Sequence, residues 1–205
     1  MAETKSCANE LDILEDVPFC KGEIQTPGTR PHAYWIPKSS ILKWPKLPVL
    51  AADSGVTLET VAVYKENFEL VEDKHFIKIE LVNNQNDFKA EQTGNDMVKL
   101  FTNTATILVP GTSEKATGLA MMMNNEDGVL LVPQRDGKYR VIGSEAYTTT
   151  AKPSLDSGKA STDNNGITIE VSSEDVAPAP FYQGEILTSD GVKISGKDGS
   201  VVQSS

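Results

Sequence analysis

Cysteine is scarce. The 205-residue chain holds two, Cys7 and Cys20, too few for a disulfide framework and without the spaced partners that a zinc site needs. Free thiols are the expectation, with a Cys7–Cys20 bridge open only to an oxidising compartment. Histidine is equally rare, and His32 and His75 stand isolated in sequence. No apolar run approaches the ~20 residues that cross a bilayer. The opening MAETKSCANELDILEDV lacks the basic region and apolar stretch of a secretion signal. Positive charge is short as well, 19 basic residues against 29 acidic ones for a net charge of −10. Proteins that grip nucleic acid neutralise phosphates with Lys and Arg, so this balance argues against such a grip. It does not argue against nucleic acid nearby, since a surface that lets DNA pass without holding it should itself be acidic or neutral.

Motifs of catalysis are missing too. There is no G-x-S-x-G, no phosphate-cradling glycine loop and no H-E-x-x-H. The pairs Glu72–Asp73 and Glu126–Asp127 fall in turn contexts, where solvation accounts for them. The run Asp163–Gly166 is too compact for a calcium loop and reads as a turn. His75 shares parity with Ile77 and Ile79 and reads as a residue at the end of a strand. No catalytic residue, cofactor site or metal site is expected, and the chain reads as a non-enzyme.

What is present is a period of two. HFIKIELV places Ile77, Ile79 and Leu81 on one face and Lys78 and Glu80 on the other. TNTATILVP sets Ala105, Ile107 and Val109 opposite Thr104, Thr106 and Leu108. VLLVPQRDGKYRVIG reads as two strands joined across Pro133–Gly137, and GITIEV alternates after a turn at Asn164–Asn165–Gly166. The end repeats the device at Asp190–Gly191 and Asp198–Gly199. Such dipeptides supply the positive φ of tight hairpins, so the expectation is an antiparallel meander. One segment changes period. Thr112 or Ser113 caps a short helix over about 113–125, with Ala116, Leu119, Ala120 and Met123 on its apolar stripe. Of Met121, Met122 and Met123, two must then lie off that stripe.

The first 50 residues differ from the rest. TPGTRPHAYWIPKSSILKWPKLP carries Pro27, Pro31, Pro37, Pro45 and Pro48 together with Trp35 and Trp44. That density of proline argues against a central strand or a long helix. Two regions follow: an extended Pro/Trp-rich arm over 1–50, and a β-sandwich domain over 51–205 with a C-terminal hairpin tail. Aromatics of such an arm are expected against the body of the same chain or against a neighbour. A second oddity is an echo. The frame P-F-x-x-G-E-I-x-T occurs at Pro18, Phe19, Gly22, Glu23, Ile24 and Thr26, and again at Pro180, Phe181, Gly184, Glu185, Ile186 and Thr188. Two readings stand: both copies are strands, close together or against equivalent surfaces of adjacent subunits, or the echo is chance convergence on a good strand.

The order of pieces from Thr104 to Thr188, above all the LVPQRDGKYRVIG hairpin and the closing APFYQGEI strand, resembles the tail tube (major tail) proteins of Bacteroidetes phages and prophages. CKGEIQTPGTRPHAYWIPK gives a looser echo, and the stretch 83–103 matches least. The resemblance implies a mainly β fold: an antiparallel β-sandwich with a barrel-forming sheet, one flanking helix and an extended N-terminal arm. It implies a structural virion protein of the phage tail, assembled in the host cytoplasm as stacked hexameric rings around a DNA channel. Its partners would be copies of itself and other tail proteins, with DNA passing the lumen unbound and no membrane involved. Phe19, Trp35, Trp44, Phe181 and Tyr182 are then the candidate subunit-interface residues. The lumen face is expected to carry Asp, Glu, Ser, Thr and Asn, with GSEAYTTTAKPS, STDNNG and NNQNDF as candidate segments. Competing readings are a virion protein that stops at one ring or layer (tail terminator, tail-completion or head-decoration protein) and a carbohydrate- or peptide-binding sandwich. An enzyme would require a concave site gathering His32 or His75 with two carboxylates.

Overall fold

The computed structural model describes residues 13–18, 22, 26–49, 53, 55–95, 98–159 and 165–202. It is mostly β, 46% strand and 9% helical, with one α-helix and several antiparallel sheets, a mainly-β sandwich. In chain order the strands are β1 (His32–Pro37), β2 (Ile41–Lys43), β3 (Val63–Tyr64), β4 (Glu69–Leu70) and β5 (Ile77–Glu80). Next come β6 (Asp87–Gly94) and β7 (Lys99–Pro110), the helix α1 (Glu114–Asn125), then β8 (Gly128–Pro133) and β9 (Tyr139–Ile142). The remainder is β10 (Thr149–Asp156), β11 (Gly166–Asp175), β12 (Phe181–Tyr182), β13 (Glu185–Leu187), β14 (Lys193–Ser195) and β15 (Val201–Val202).

Two sheets face each other. One has six strands in the order β3-β12-β9-β8-β1-β5; the other has four, β10-β11-β7-β6. Between them lie Ala33, Trp35, Leu130, Val132 and Ile142 from the first sheet and Ala105, Ile107, Ile167, Ile169 and Val171 from the second. α1 closes this core with Ala116, Ala120 and Met123. Ser113 is its N-cap, the side chain accepting from Ala116 N at 3.3 Å. The far face of the six-stranded sheet carries a second core of Tyr34, Ile36, Tyr139, Val141 and Tyr182. It is roofed by Trp44, Phe68, Phe76 and Ile186. β1 and β8 are therefore buried on both faces, which is why HAYWIP and GVLLVP read as nearly continuous apolar runs.

This placement corrects the boundary at residue 50. β1 pairs with β8 on one side and β5 on the other, so it is an interior strand of the main sheet and not part of an arm. The prolines do not prevent this, because Pro31 precedes the strand and Pro37 is its last residue. There they remove no interior ladder donor and serve as punctuation. Thr29 also belongs to the body: it is 4% exposed and bridges to Gln134.

The predicted hairpins are present. β8 and β9 pair across the Gln134–Gly137 turn. β13, β14 and β15 form a small sheet whose two turns use Gly191 at φ +73° and Gly199 at φ +77°. Asn165–Gly166 opens β11 as expected, while Asn164 and the rest of that turn lie outside the described residues. Alternation holds for β11, where Ile167, Ile169 and Val171 are at most 1% exposed, whereas in β7 Thr104 and Leu108 are buried as well as Ala105, Ile107 and Val109. It fails at Ile77, 40% exposed, which opens the short edge strand β5. Among the described residues, no helix is long and apolar enough to cross a membrane.

Candidate functional site

The two histidines do different things. His32 Nε2 lies 3.1 Å from the Tyr139 hydroxyl, and its ring meets Tyr34 edge-on at 5.6 Å. Burial, helped by the Lys78 ammonium, pushes its pKa below the ordinary imidazole range. A neutral imidazole bonded to a phenol is a structural element here. His75 lines an open cleft of about 570 Å³ that also holds Glu72, Asp73 and Glu185. Glu185 is committed to Lys193 at 2.8 Å. Among the described residues no hydrogen bond or ion pair is recorded between His75 and these carboxylates, and no cluster of three or more His, Cys, Asp or Glu is arranged to hold a metal.

The aromatic candidates for a subunit interface are corrected by burial. Trp35 (3% exposed) sits in the core between the two main sheets. Trp44 (8%) and Tyr182 (fully buried) belong to the second core, Trp44 edge-on to Phe68 at 5.3 Å. Trp35 and Tyr182 pack on their own chain because a six-stranded sheet flanked by two cores needs large side chains on both faces, and Trp44 covers one of those faces from outside the sheet. Phe181 is partly buried with the Arg140 guanidinium stacked 3.4 Å from its ring centroid. Phe19 lies outside the described residues.

The second copy of the echoed frame is explained position by position. Pro180 O accepts from Val141 N at 2.9 Å, and Ile186 is fully buried. Gly184 is obligatory, since a Cβ there would stand 2.6 Å from the Tyr182 hydroxyl and 2.7 Å from Glu66 O. Thr188 Oγ1 donates to Val192 O at 2.9 Å to close the hairpin. In the first copy Phe19, Glu23 and Ile24 lie outside the described residues.

What distinguishes the surface is the four-stranded sheet. Its outermost strands, β6 and β10, are each eight residues long, and among the described residues neither pairs on its outer side. Register and alternation put Asp87, Lys89, Glu91, Thr102, Thr104 and Thr106 on the face turned from the core. β11 adds Thr168, Glu170, Ser172 and Glu174, and β10 adds Thr150, Lys152, Ser154 and Asp156. Both lysines of that face are spent on it, Lys89 with Glu91 at 3.5 Å and Lys152 with Glu170 at 3.9 Å. Asp87, Asp156 and Glu174 stay unneutralised by any recorded ion pair, so the face is hydroxyl-rich and acidic.

Beyond β6 the exposed ladder of β7 is finished from within. Asn86 (8% exposed) accepts Leu108 N at 2.8 Å and donates to Val82 O, while Val82 N donates to Leu108 O at 2.8 Å. Pro153 removes one amide donor from β10, as an outermost strand tolerates. Of the expected lumen segments, GSEAYTTTAKPS supplies Thr149 to Ser154 of β10; NNQNDF contributes only Asp87 to the face, and most of STDNNG lies outside the described residues. The residues that sequence reasoning passed over are those of β6 after Phe88, although Asp87 to Glu91 alternates polar and apolar side chains. Compared with known protein families, curated proteins and solved structures, the chain matches none.

Proposed function

We propose that this chain is a structural virion protein: a phage tail tube subunit that joins copies of itself into stacked hexameric rings around a DNA channel. Other tail proteins would be its further partners. The observation that carries the reading is the four-stranded sheet, whose long edge strands β6 and β10 have no strand partner on their outer sides among the described residues, and whose outer face is acidic and hydroxyl-rich. Soluble β proteins usually cover or shorten such edges, because an unpaired ladder recruits other chains. The strand count matters. With four alternating strands, β10 of one copy runs antiparallel to β6 of the next when both sheets show the same face. A heterologous contact of this kind closes by rotation into a ring.

Magnitudes favour a ring of several copies. Two copies would make an eight-stranded barrel, a size whose interior side chains fill. Six copies contribute twenty-four strands. At roughly 4.8 Å between strands and about 40° of tilt, the backbone circle is about 48 Å across. Side chains narrow that bore but leave room for a duplex. Its wall would then be Thr, Ser and carboxylate, with lysines already paired, so phosphates find nothing to hold them.

Negative-stain microscopy of the purified chain tests the reading. Long hollow tubes are expected. Isolated rings that never lengthen would favour a tail terminator or completion protein, and a monodisperse monomer at high concentration would overturn the proposal.

A further inference from the structure

All seven ion pairs among the described residues use lysine, and none uses arginine. The chain has three arginines, and they gather at one end of the six-stranded sheet, around Gln134. Arg30 N donates to Pro133 O at 3.0 Å, Arg135 follows Gln134 directly, and Arg140 Nε reaches Gln134 Oε1 at 3.4 Å. Arg140 is spent internally, donating to Ala179 O at 3.0 Å and stacking on Phe181. Arg30 and Arg135 make no ion pair among the described residues, although the Arg30 guanidinium lies against Gly137 and Gly199 and that of Arg135 against Gly28. Arg30 has no recorded side-chain hydrogen bond, and Arg135 donates only to the neutral amide oxygen of Asn84. In a chain of net charge −10, two guanidinium groups without a carboxylate are conspicuous. Arginine's planar fork is the side chain best matched to carboxylates.

The opposite end of the same strands is acidic. Glu126 stands just before β8 and Glu145 just after β9, whereas Arg135 lies in the turn joining these two strands. Both glutamates are exposed and neither is in a recorded ion pair. The two ends are held apart by the body of the sandwich. Val82–Leu108 and Thr29–Asn86 bonds tie the arginine end to the end of β7. Lys38–Asp127 and Asp127–Thr149 contacts tie the glutamate end to the start of β10. If rings close through the edges of β6 and β10, their two faces are the two ends of these strands.

We infer that Arg30 and Arg135 of one copy meet Glu126 and Glu145 of another copy stacked head to tail on it. The inference rests on the tube reading and assigns its axial contact. Arg135 and both glutamates are exposed and Arg30 is half-buried; each pair is weak alone, but a ring repeats it around the circumference, so the contact is multivalent and sensitive to salt.

Two variants test this, each checked for an unchanged thermal melt. The first, Arg30→Gln with Arg135→Glu, makes both ends acidic; the second, Glu126→Arg with Glu145→Arg, makes both basic. Wild type is expected to form tubes that shorten as salt rises from about 0.05 to about 0.5 M. Either variant alone is expected to stop at rings, with mean length reduced about tenfold or more. An equimolar mixture should regain long tubes by alternation. Variants that polymerise like wild type, or a mixture that leaves separate rings, would overturn this contact while leaving the tube intact. A wild-type chain that never polymerises removes the tube reading and this contact together.

Discussion

Asp175 is a carboxylate only 4% exposed, held by Val176 N at 2.7 Å and the Tyr64 hydroxyl at 3.5 Å. Burial raises its pKa above the ordinary carboxylate value, more than those two donors lower it. The folded state therefore disfavours the ionised form. Stability is greatest below the unfolded pKa and falls as pH rises through the folded one. Asp175→Asn should accordingly melt higher than wild type at neutral pH, and the gain should vanish near pH 3; equal gains at both pH values would refute the assignment. Gly184 makes a steric prediction at the same scale. Its Cβ-free approach to the Tyr182 hydroxyl and Glu66 O means that Gly184→Ala should lose about 1–3 kcal/mol in denaturant unfolding. The glycine of the echoed frame is thus fixed by packing, whatever its first copy does.

At the scale of elements, α1 separates its three consecutive methionines by orientation. Met123 is 1% exposed in the main core, while Met121 and Met122 are 62% and 49% exposed. Met123→Ala should destabilise by about 2–5 kcal/mol, whereas Met121→Ala and Met122→Ala should stay within about 0.5 kcal/mol. Chemical denaturation of the three variants gives the comparison directly. Asn86 ends the pairing of β7 by replacing a strand with a side chain. Asn86→Ala leaves the Leu108 amide unpaired in a buried setting and should cost about 1–3 kcal/mol, with faster amide exchange confined to the end of β7. The helix and its buried stripe were legible because a period of 3.6 announces itself in twelve residues, and of the two candidate caps Thr112 and Ser113 the structure uses Ser113. β1 was not, because five prolines in a short stretch look like an arm until one knows that two of them flank a strand.

For the whole molecule, the consequential feature is the charge of one sheet face. Wild type should not retard duplex DNA in a gel at physiological salt. Glu91→Lys, Glu170→Lys and Glu174→Lys together should, because they turn an acidic wall into a phosphate-binding one while leaving the core untouched. Unchanged migration of the triple variant in assembled form would argue that this face does not line a DNA passage.

Strand periodicity, hairpin turns, the single helix and the acidic balance all follow from the sequence, since each depends on neighbours within a few positions. Local spacing tells which side chains share a face, and the face of Ile107 and Ile169 was readable on that basis alone. It does not tell what the face meets. That Trp35 and Trp44 fill two different cores, that β6 and β10 are left as edges, and that the arginines collect at one end while Glu126 and Glu145 hold the other were decided by tertiary structure. The reason is that sheet order is set by contacts between residues far apart in the chain, where burial and strand pairing compete over the whole molecule, and no short window of sequence carries that competition.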